Sequence, residues 1–349
     1  MTSHLPIDND YLMEILIGLL NTPSPTGFAE AAITYTEKAM TDLGLVPRRT
    51  VKGGLLAEWA GTSNETPRAL TAHADTLGAM VKEIKPNGRL TLTKIGGFAW
   101  NTVEGEGCCV FTSSGKIIRG SLLPIKASTH VHAKKVSELK RSDENMEVRL
   151  DQRTTSVEET RALEIEVGDF VAFDPRVEVS QDGFIRSRHL DDKSGVACML
   201  AAVKAMHDAG HEPVQRTTLH VSNYEEVGHG AAAGFPPDLV ELVVVDMAAV
   251  GEGQASDEFH TTICAKDSGG PYHIDLTRHL RRLAQEASIP YKMDIYPYYG
   301  SDGEAYWRAG GDVQVALIGP GVDASHNYER THIESLIATV QLITEYLRS

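Results

Sequence analysis

The sequence predicts an α/β protein, a mostly parallel sheet with helices on both faces, interrupted by an inserted β-rich unit. Three observations predict it. Strand-like and helical patterns alternate at both ends of the chain, which implies parallel strands covered on each side. From about Leu77 to Arg186 the texture changes to short β-like runs parted by Gly, Asn and Asp turns. The length of 349 residues is about two to three times an ordinary domain, enough for two units.

Taken in order, Leu12, Ile15, Leu16, Leu19 and Leu20 form one apolar stripe, predicting a helix over about 9–20 that stops before Pro23 and Pro25. A second helical pattern starts near Phe28 and ends at Gly44, a good residue just past a helix end. Leu55–Trp59 and Ala69–Ala72 read as strands. In the insert the runs Leu90–Thr93, Lys116–Arg119, Leu163–Glu166 and Phe170–Phe173 read as strands, with an acidic helical piece near Ser156–Arg161. Beyond Asp191 come an Ala-rich helix (194–209), strands at Thr217–Ser222 and Leu242–Val245, and a helix over 275–287. Strands at Met293–Tyr296 and Val313–Ile318 follow, and a closing helix spans Ile333 to Leu347.

Composition narrows the function. Hydrophobic residues make up 42% and charged residues 23%, ordinary for a folded globular chain. A net charge of −15 argues against nucleic acid or an anionic membrane surface as partner, since both need clustered cations. Cys108, Cys109, Cys198 and Cys264 form no Cys-x-x-Cys pair, so neither a disulfide framework nor a thiolate zinc site is indicated. No apolar run reaches membrane-spanning length and no basic run precedes the first helix, so a reducing cytoplasm is the expectation.

In an open α/β sheet ligands bind beyond the carboxyl ends of the strands. Acids and imidazoles collect there. His73-Ala74-Asp75 follows Ala69–Ala72, Asn223-Tyr224-Glu225-Glu226 follows Thr217–Ser222, and Asp246 follows Leu242–Val245. Asp191-Asp192 precedes the Ala-rich helix, and the loop after Val313–Ile318 leads to His326. Taken singly, each has an ordinary role: a helix cap for Asp191 or Asp192, a turn for Asp246, a charged surface pair for Glu225-Glu226. Together they make a nitrogen and oxygen ligand set without sulfur, suited to Zn²⁺, Co²⁺ or Mn²⁺ rather than Ca²⁺. A pair of dications would balance the excess of acid. Of two adjacent glutamates at a strand's frayed end, one can ligate while the other accepts a proton from an activated water. Asp75 is placed to orient the His73 ring.

These residues sit in stretches that resemble the M42 metallopeptidases. The matching pieces are Thr71-Ala72-His73-Ala74-Asp75-Thr76-Leu77-Gly78-Ala79-Met80-Val81, Ile95-Gly96-Gly97, Leu190-Asp191-Asp192-Lys193-Ser194-Gly195, Tyr224-Glu225-Glu226-Val227-Gly228, Val244-Val245-Asp246, Gly300-Ser301-Asp302 and His326. They occur in family order across nearly the whole chain. Lys193 replaces an Arg common in the family, and the loops after Gly228 and before His326 differ from the usual pattern.

The resemblance implies a co-catalytic aminopeptidase acting on peptides with two divalent metal ions per subunit, Zn or Co, with Mn as a further option. His73 and Asp246 would bind one ion, Glu226 and His326 the other, and Asp191 both. The Asp-x-x-Ser-Gly spacing of related di-metal peptidases selects Asp191 over Asp192 by analogy. Glu225 would be general base and Asp75 a supporting residue. The resemblance also implies a catalytic domain (1–76 and 187–349) and a β-rich, barrel-like dimerisation domain (77–186), in a homo-oligomer that extends in some members to a dodecamer. A di-metal amidase or deacylase on an N-acylated or specialised small amide is the alternative, and a non-catalytic assembly protein a third. Ser301-Asp302 and Tyr296–Tyr299 are open between pocket wall and structural turn. His130 and His132 are expected on alternate positions of a solvated strand.

Overall fold

The computed structural model describes residues 4–349. The chain divides into two compact units, one running to Asp75 and resuming at Arg176, the other Thr76–Pro175.

In the first unit four strands run parallel at the centre of a large sheet, in the order Gln215–Ser222, Ser63–His73, Glu241–Val245 and Gln314–Asp323. Antiparallel strands flank them: Leu55–Trp59 on one side and Thr261–Asp267 on the other. The sheet is therefore mixed, parallel at its middle and again where Thr261–Asp267 pairs with Tyr291–Ile295, rather than mostly parallel throughout. The connection from Trp59 to Ser63 is too short for a crossover. It returns the chain antiparallel, and Gln215–Ser222 then pairs between the two strands it joins.

Alternate residues of the central strands face two different cores. Leu70, Val243, Val245, Ala316 and Ile318 point to one; Ala69, Leu242, Val244, Val315 and Leu317 point to the other. This double burial is why these strands read as unbroken apolar runs. The helices Asn9–Leu20, Leu190–Asp208, Ile274–Glu286 and Ile333–Leu347 pack into the first core. The short helix Asp302–Arg308, with Leu239, Tyr272 and Tyr296, covers the second face.

Local signals set the helix ends. The Asp8 carboxylate accepts the Tyr11 amide at 3.0 Å, starting the first helix. At the end of Glu30–Asp42, Gly44 takes φ +81°, and the Gly44 and Leu45 amides donate to the Thr41 and Met40 carbonyls at 2.9 and 3.1 Å. Among the described residues no helix is long and apolar enough to cross a membrane. All four cysteines are free; Cys108, Cys198 and Cys264 are buried and Cys109 half-buried.

The second unit is a closed antiparallel barrel. Around it run Gly78–Ile84, Leu90–Ile95, Met146–Leu150, Ile117–Pro124, Gly107–Phe111 and Phe170–Phe173, the last pairing with the first. Alternate residues such as Ala79, Val81, Cys108, Val110 and Val171 fill its interior. Leu163–Glu166 is a turn rather than a strand, with Glu164 at φ +68°. Its apolar residues imitate strand alternation because buried Ile165 and partly buried Leu163 plug the barrel core from a loop. His130 and His132 lie on an exposed helical turn, Thr129–His132, not a strand. Phe184–Ser187 pairs with Glu329–His332 and so draws residues 176–186 into the α/β unit.

Candidate metal centre

The centre forms where the parallel strands end. His73 closes Ser63–His73 and is held by the next turn: its Nδ1 lies 2.9 Å from the main-chain carbonyl of Asp75. The Asp75 carboxylate, at 3.7 Å from the same nitrogen, is used elsewhere. It accepts the Thr26 hydroxyl at 2.7 Å and the amides of Glu225 and Glu226 at 3.2 and 3.4 Å. The expected orienting of the imidazole by Asp75 is thus done by its backbone, while its side chain holds the glutamate loop.

That loop is a single 3₁₀ turn, Glu225–Val227, not a frayed strand. Left-handed residues bracket it, Tyr224 at φ +79° and Gly228 at φ +87°. The tight turn lets neighbouring carboxyls face one cleft. Glu225 Oε2 lies 3.7 Å from His73 Nε2, and Glu226 Oε2 lies 3.6 Å from His326 Nε2.

Asp191 and Asp192 precede the helix proper, with non-helical backbone angles. Their roles differ. The two oxygens of Asp191 face different rings, Oδ1 at 3.0 Å from His73 Nε2 and Oδ2 at 3.3 Å from His326 Nε2. Those of Asp192 accept backbone amides, from His73 at 3.2 Å and Gly195 at 3.0 Å. The latter bond is a helix cap. Gly195 has no room for a side chain, since a Cβ there would stand 2.3 Å from the Val245 carbonyl and 2.4 Å from Asp192.

Asp246 follows Glu241–Val245 and accepts the Met247 amide at 2.6 Å. Ligand atoms of His73, Asp192 and Asp246 all lie within 4.8 Å of one another, a group able to hold a metal ion. Every residue expected at the site from the sequence is therefore in this one neighbourhood of the α/β unit.

Glu329 joins the centre without a motif to mark it in the sequence. Buried on the strand after the His326 loop, it accepts the Asp191 amide at 3.2 Å and the His326 amide at 2.9 Å, tying two segments far apart in the chain. A carboxyl three residues past His326 was the only available hint. Asp302 accepts the Ser222 hydroxyl at 2.5 Å and the Ala231 amide at 2.8 Å, bonds that fit the structural side of the two roles left open for it.

The electrostatics record the crowding. Burial, then the Asp191 charge, pushes the Glu226 carboxyl up to about 8 and Asp246 up to about 7. Burial likewise lifts Glu329 to about 8 and Glu225 well above the usual carboxylate range. Burial would raise Asp191 too, but His326 and His73 outweigh it and hold that carboxyl low.

The profile of the M42 glutamyl aminopeptidase family matches residues 53–342. The chain belongs to this family. It is therefore an aminopeptidase-family enzyme, as the ordered motifs lead one to expect. "Putative aminopeptidase YhfE" of Bacillus subtilis (strain 168) is 48% identical over 337 residues, covering 97% of each chain. Among solved structures, a TET aminopeptidase from the marine sediment archaeon Thaumarchaeota archaeon SCGC AB-539-E09 superposes with a TM-score of 0.88 at 19% identity, covering 97% of this chain and 96% of that one. The Pyrococcus horikoshii TET1 peptidase, described as assembling into a tetrahedron or a large octahedral shell, superposes at 0.84 with 23% identity, over 97% and 99%. At such identities the structures establish the shared fold.

Proposed function

We propose that the chain is a co-catalytic di-metal aminopeptidase that removes N-terminal residues from peptides. One observation carries the reading: the two oxygens of Asp191 face His73 and His326, at 3.0 and 3.3 Å. A carboxylate so placed suits a bridge between two cations. His73 and Asp246 would hold one, Glu226 and His326 the other. Asp192 is the weaker bridge because both its oxygens are engaged by backbone amides.

The residues fit such ions. Nitrogen and oxygen donors without sulfur favour Zn²⁺, Co²⁺ or Mn²⁺, and cationic charge relieves the mutual repulsion that lifts Glu226 and Asp246. Bound there, the cations would supply Lewis acidity and a water that ionises near neutral pH.

Glu225 is the proton carrier. It stands beside His73, its amide is fixed by Asp75, and it coordinates nothing in this assignment. Its carboxylate takes a proton from the attacking water and returns it to the departing amine. The surplus acids around it favour a substrate α-ammonium at the same place, which directs cleavage to free N-termini. The name of the Bacillus relative supports this outcome. We assign the barrel, Thr76–Pro175, to dimerisation within a larger homo-oligomer, a reading supported by the assemblies described for the TET1 relative.

The test is a mixed peptide library, free and N-acetylated, incubated with metal-reconstituted protein and read by mass spectrometry. Free peptides are expected to shorten from the amino end while acetylated ones stay intact. Glu225→Gln should retain its metal but lose about 10²–10⁴-fold in turnover. Near-normal turnover in that variant removes Glu225 from its role, and processing of acetylated peptides replaces the aminopeptidase reading with an amidase.

A further inference from the structure

We propose that Thr26 is a positioning residue of this reaction, fixing the Asp75 carboxylate and, through it, the turn that carries Glu225. The inference rests on the aminopeptidase reading above and adds to it a residue near the start of the chain, outside the ligand-and-base set.

Thr26 lies in the connection between the helices Asn9–Leu20 and Glu30–Asp42, which reads Asn21-Thr22-Pro23-Ser24-Pro25-Thr26-Gly27. Two prolines stiffen the backbone on either side of Ser24. The Phe28 amide donates to the Pro25 carbonyl at 2.7 Å, closing a turn in which Gly27 takes φ +86°. Connecting loops usually run over the surface, yet Ser24, Pro25 and Thr26 are buried.

This loop is tied to three of the segments that build the centre. The Lys193 ammonium, two residues past Asp191, donates to the Thr22 carbonyl at 2.6 Å. The Ser24 hydroxyl donates to the carbonyl of Ala74, the residue between His73 and Asp75, at 2.7 Å. The Thr26 hydroxyl donates to Asp75 Oδ2 at 2.7 Å, and the Gly27 amide to the Asn223 side chain at 3.2 Å, just ahead of the glutamate turn.

Of these bonds, the one from Thr26 reaches the chemistry. Asp75 is fully buried, so its carboxylate depends on donors from the protein. Oδ1 accepts the Glu225 amide at 3.2 Å; Oδ2 accepts the Glu226 amide at 3.4 Å and the Thr26 hydroxyl at 2.7 Å. A hydroxyl on a carboxylate makes a strong, charge-assisted bond, and this one is the shortest of the three. It sets the rotation of the carboxyl plane: with Oδ2 held, Oδ1 is aimed at Glu225. The first amides of a helical turn find no partner inside the turn, and the side chain of Tyr224 does not cap them. Asp75 therefore caps Glu225–Val227 from a distant segment, and Thr26 fixes its aim. A proton carrier must stand within hydrogen-bond reach of the attacking water, so a small displacement of this turn costs rate. Thr26 touches neither substrate nor the transferred proton.

The test compares Thr26→Val, which removes the hydroxyl and keeps the shape, with Thr26→Ser, which restores it, both metal-reconstituted. Amide exchange in the fragment holding Glu225 and Glu226, read by mass spectrometry, should quicken about tenfold in Thr26→Val while the helix Ile333–Leu347 exchanges as before. Turnover should fall about 10–100-fold with KM within about threefold of wild type. Thr26→Ser should recover most of both. With Asp75→Ala already in place, Thr26→Val should cost less than about threefold, because the route to Glu225 is gone. Should Thr26→Val not fold, Thr26→Ala carries the same expectations. Unchanged exchange, turnover within about threefold of wild type, equal loss in Thr26→Ser, or a full further loss on top of Asp75→Ala each overturns the role. A wild type that leaves free peptides uncut overturns the aminopeptidase reading and the reaction role with it. One that cuts them beside an equally active Thr26→Val overturns Thr26 alone.

Discussion

Stripping the metal from this protein should invert the usual dependence of stability on pH. In the metal-free fold Glu226 titrates at about 8 and Asp246 at about 7, against 4.5 and 3.8 for the unperturbed groups. Burial comes first among the causes, and the Asp191 charge second. Between pH 8 and pH 6 the native state therefore takes up protons that the unfolded chain does not. Unfolding free energy rises with pH only where the unfolded state binds more protons. Here the native state binds more, so stability must climb as pH falls. A carboxyl titrating near 8 contributes about 2 kcal/mol over that interval, and one near 7 about 1 kcal/mol.

His73 acts in the same direction. Burial would lower its pKa, but Glu225 and Asp191 outweigh that and raise it, so it stays charged in the fold while the unfolded histidine loses its proton above about 6.5. Because these groups touch one another, the expected gain for the pair is on the order of 2–4 kcal/mol rather than a strict sum. The assay is urea unfolding of chelator-treated protein at pH 8, 7 and 6. The metal-loaded protein should show no such gain, because bound cations keep the carboxylates ionised. A metal-free midpoint that falls or stays level from pH 8 to 6 would mean that Glu226 and Asp246 are not held protonated in the fold.

The other predictions concern what holds the ligands. If Asp191 bridges two cations as proposed, Asp191→Asn should abolish their high-affinity binding, whereas Asp192→Asn should keep most bound metal and lose stability, because Asp192 serves the His73 amide and the helix cap. Metal analysis after dialysis, with denaturant melts, separates the two. Glu329→Ala leaves the Asp191 and His326 amides without their carboxylate partner and should weaken metal affinity about 10–100-fold, measured by competition with a chromophoric chelator. An unchanged affinity would mean that Glu329 supports the fold and not the centre.

The groups that gather at the sheet edge are legible because their chemistry is written locally. His73, Glu225, Glu226 and Asp246 each follow an apolar run, and such runs identify buried strands by themselves. The Asn9–Leu20 stripe and the Gly44 stop were legible for the same reason, since the interactions that make them span a few residues. Leu163–Glu166 shows the converse. Its alternation came from plugging a barrel built by other segments, and no local rule separates that from a strand.

By itself, then, the sequence determined the main helices and strands of the α/β unit, the inserted β-rich texture and the identity of the groups that collect at the sheet edge. Tertiary structure decided which atom does what. It sent the Asp75 carboxylate to the glutamate loop, gave Asp191 two imidazoles and Asp192 two amides, and recruited Glu329. Periodicity is imposed by forces acting over one or two turns of chain. Hydrogen-bond partnership depends on where distant segments meet, and that is set only when the cores on both faces of the sheet have closed.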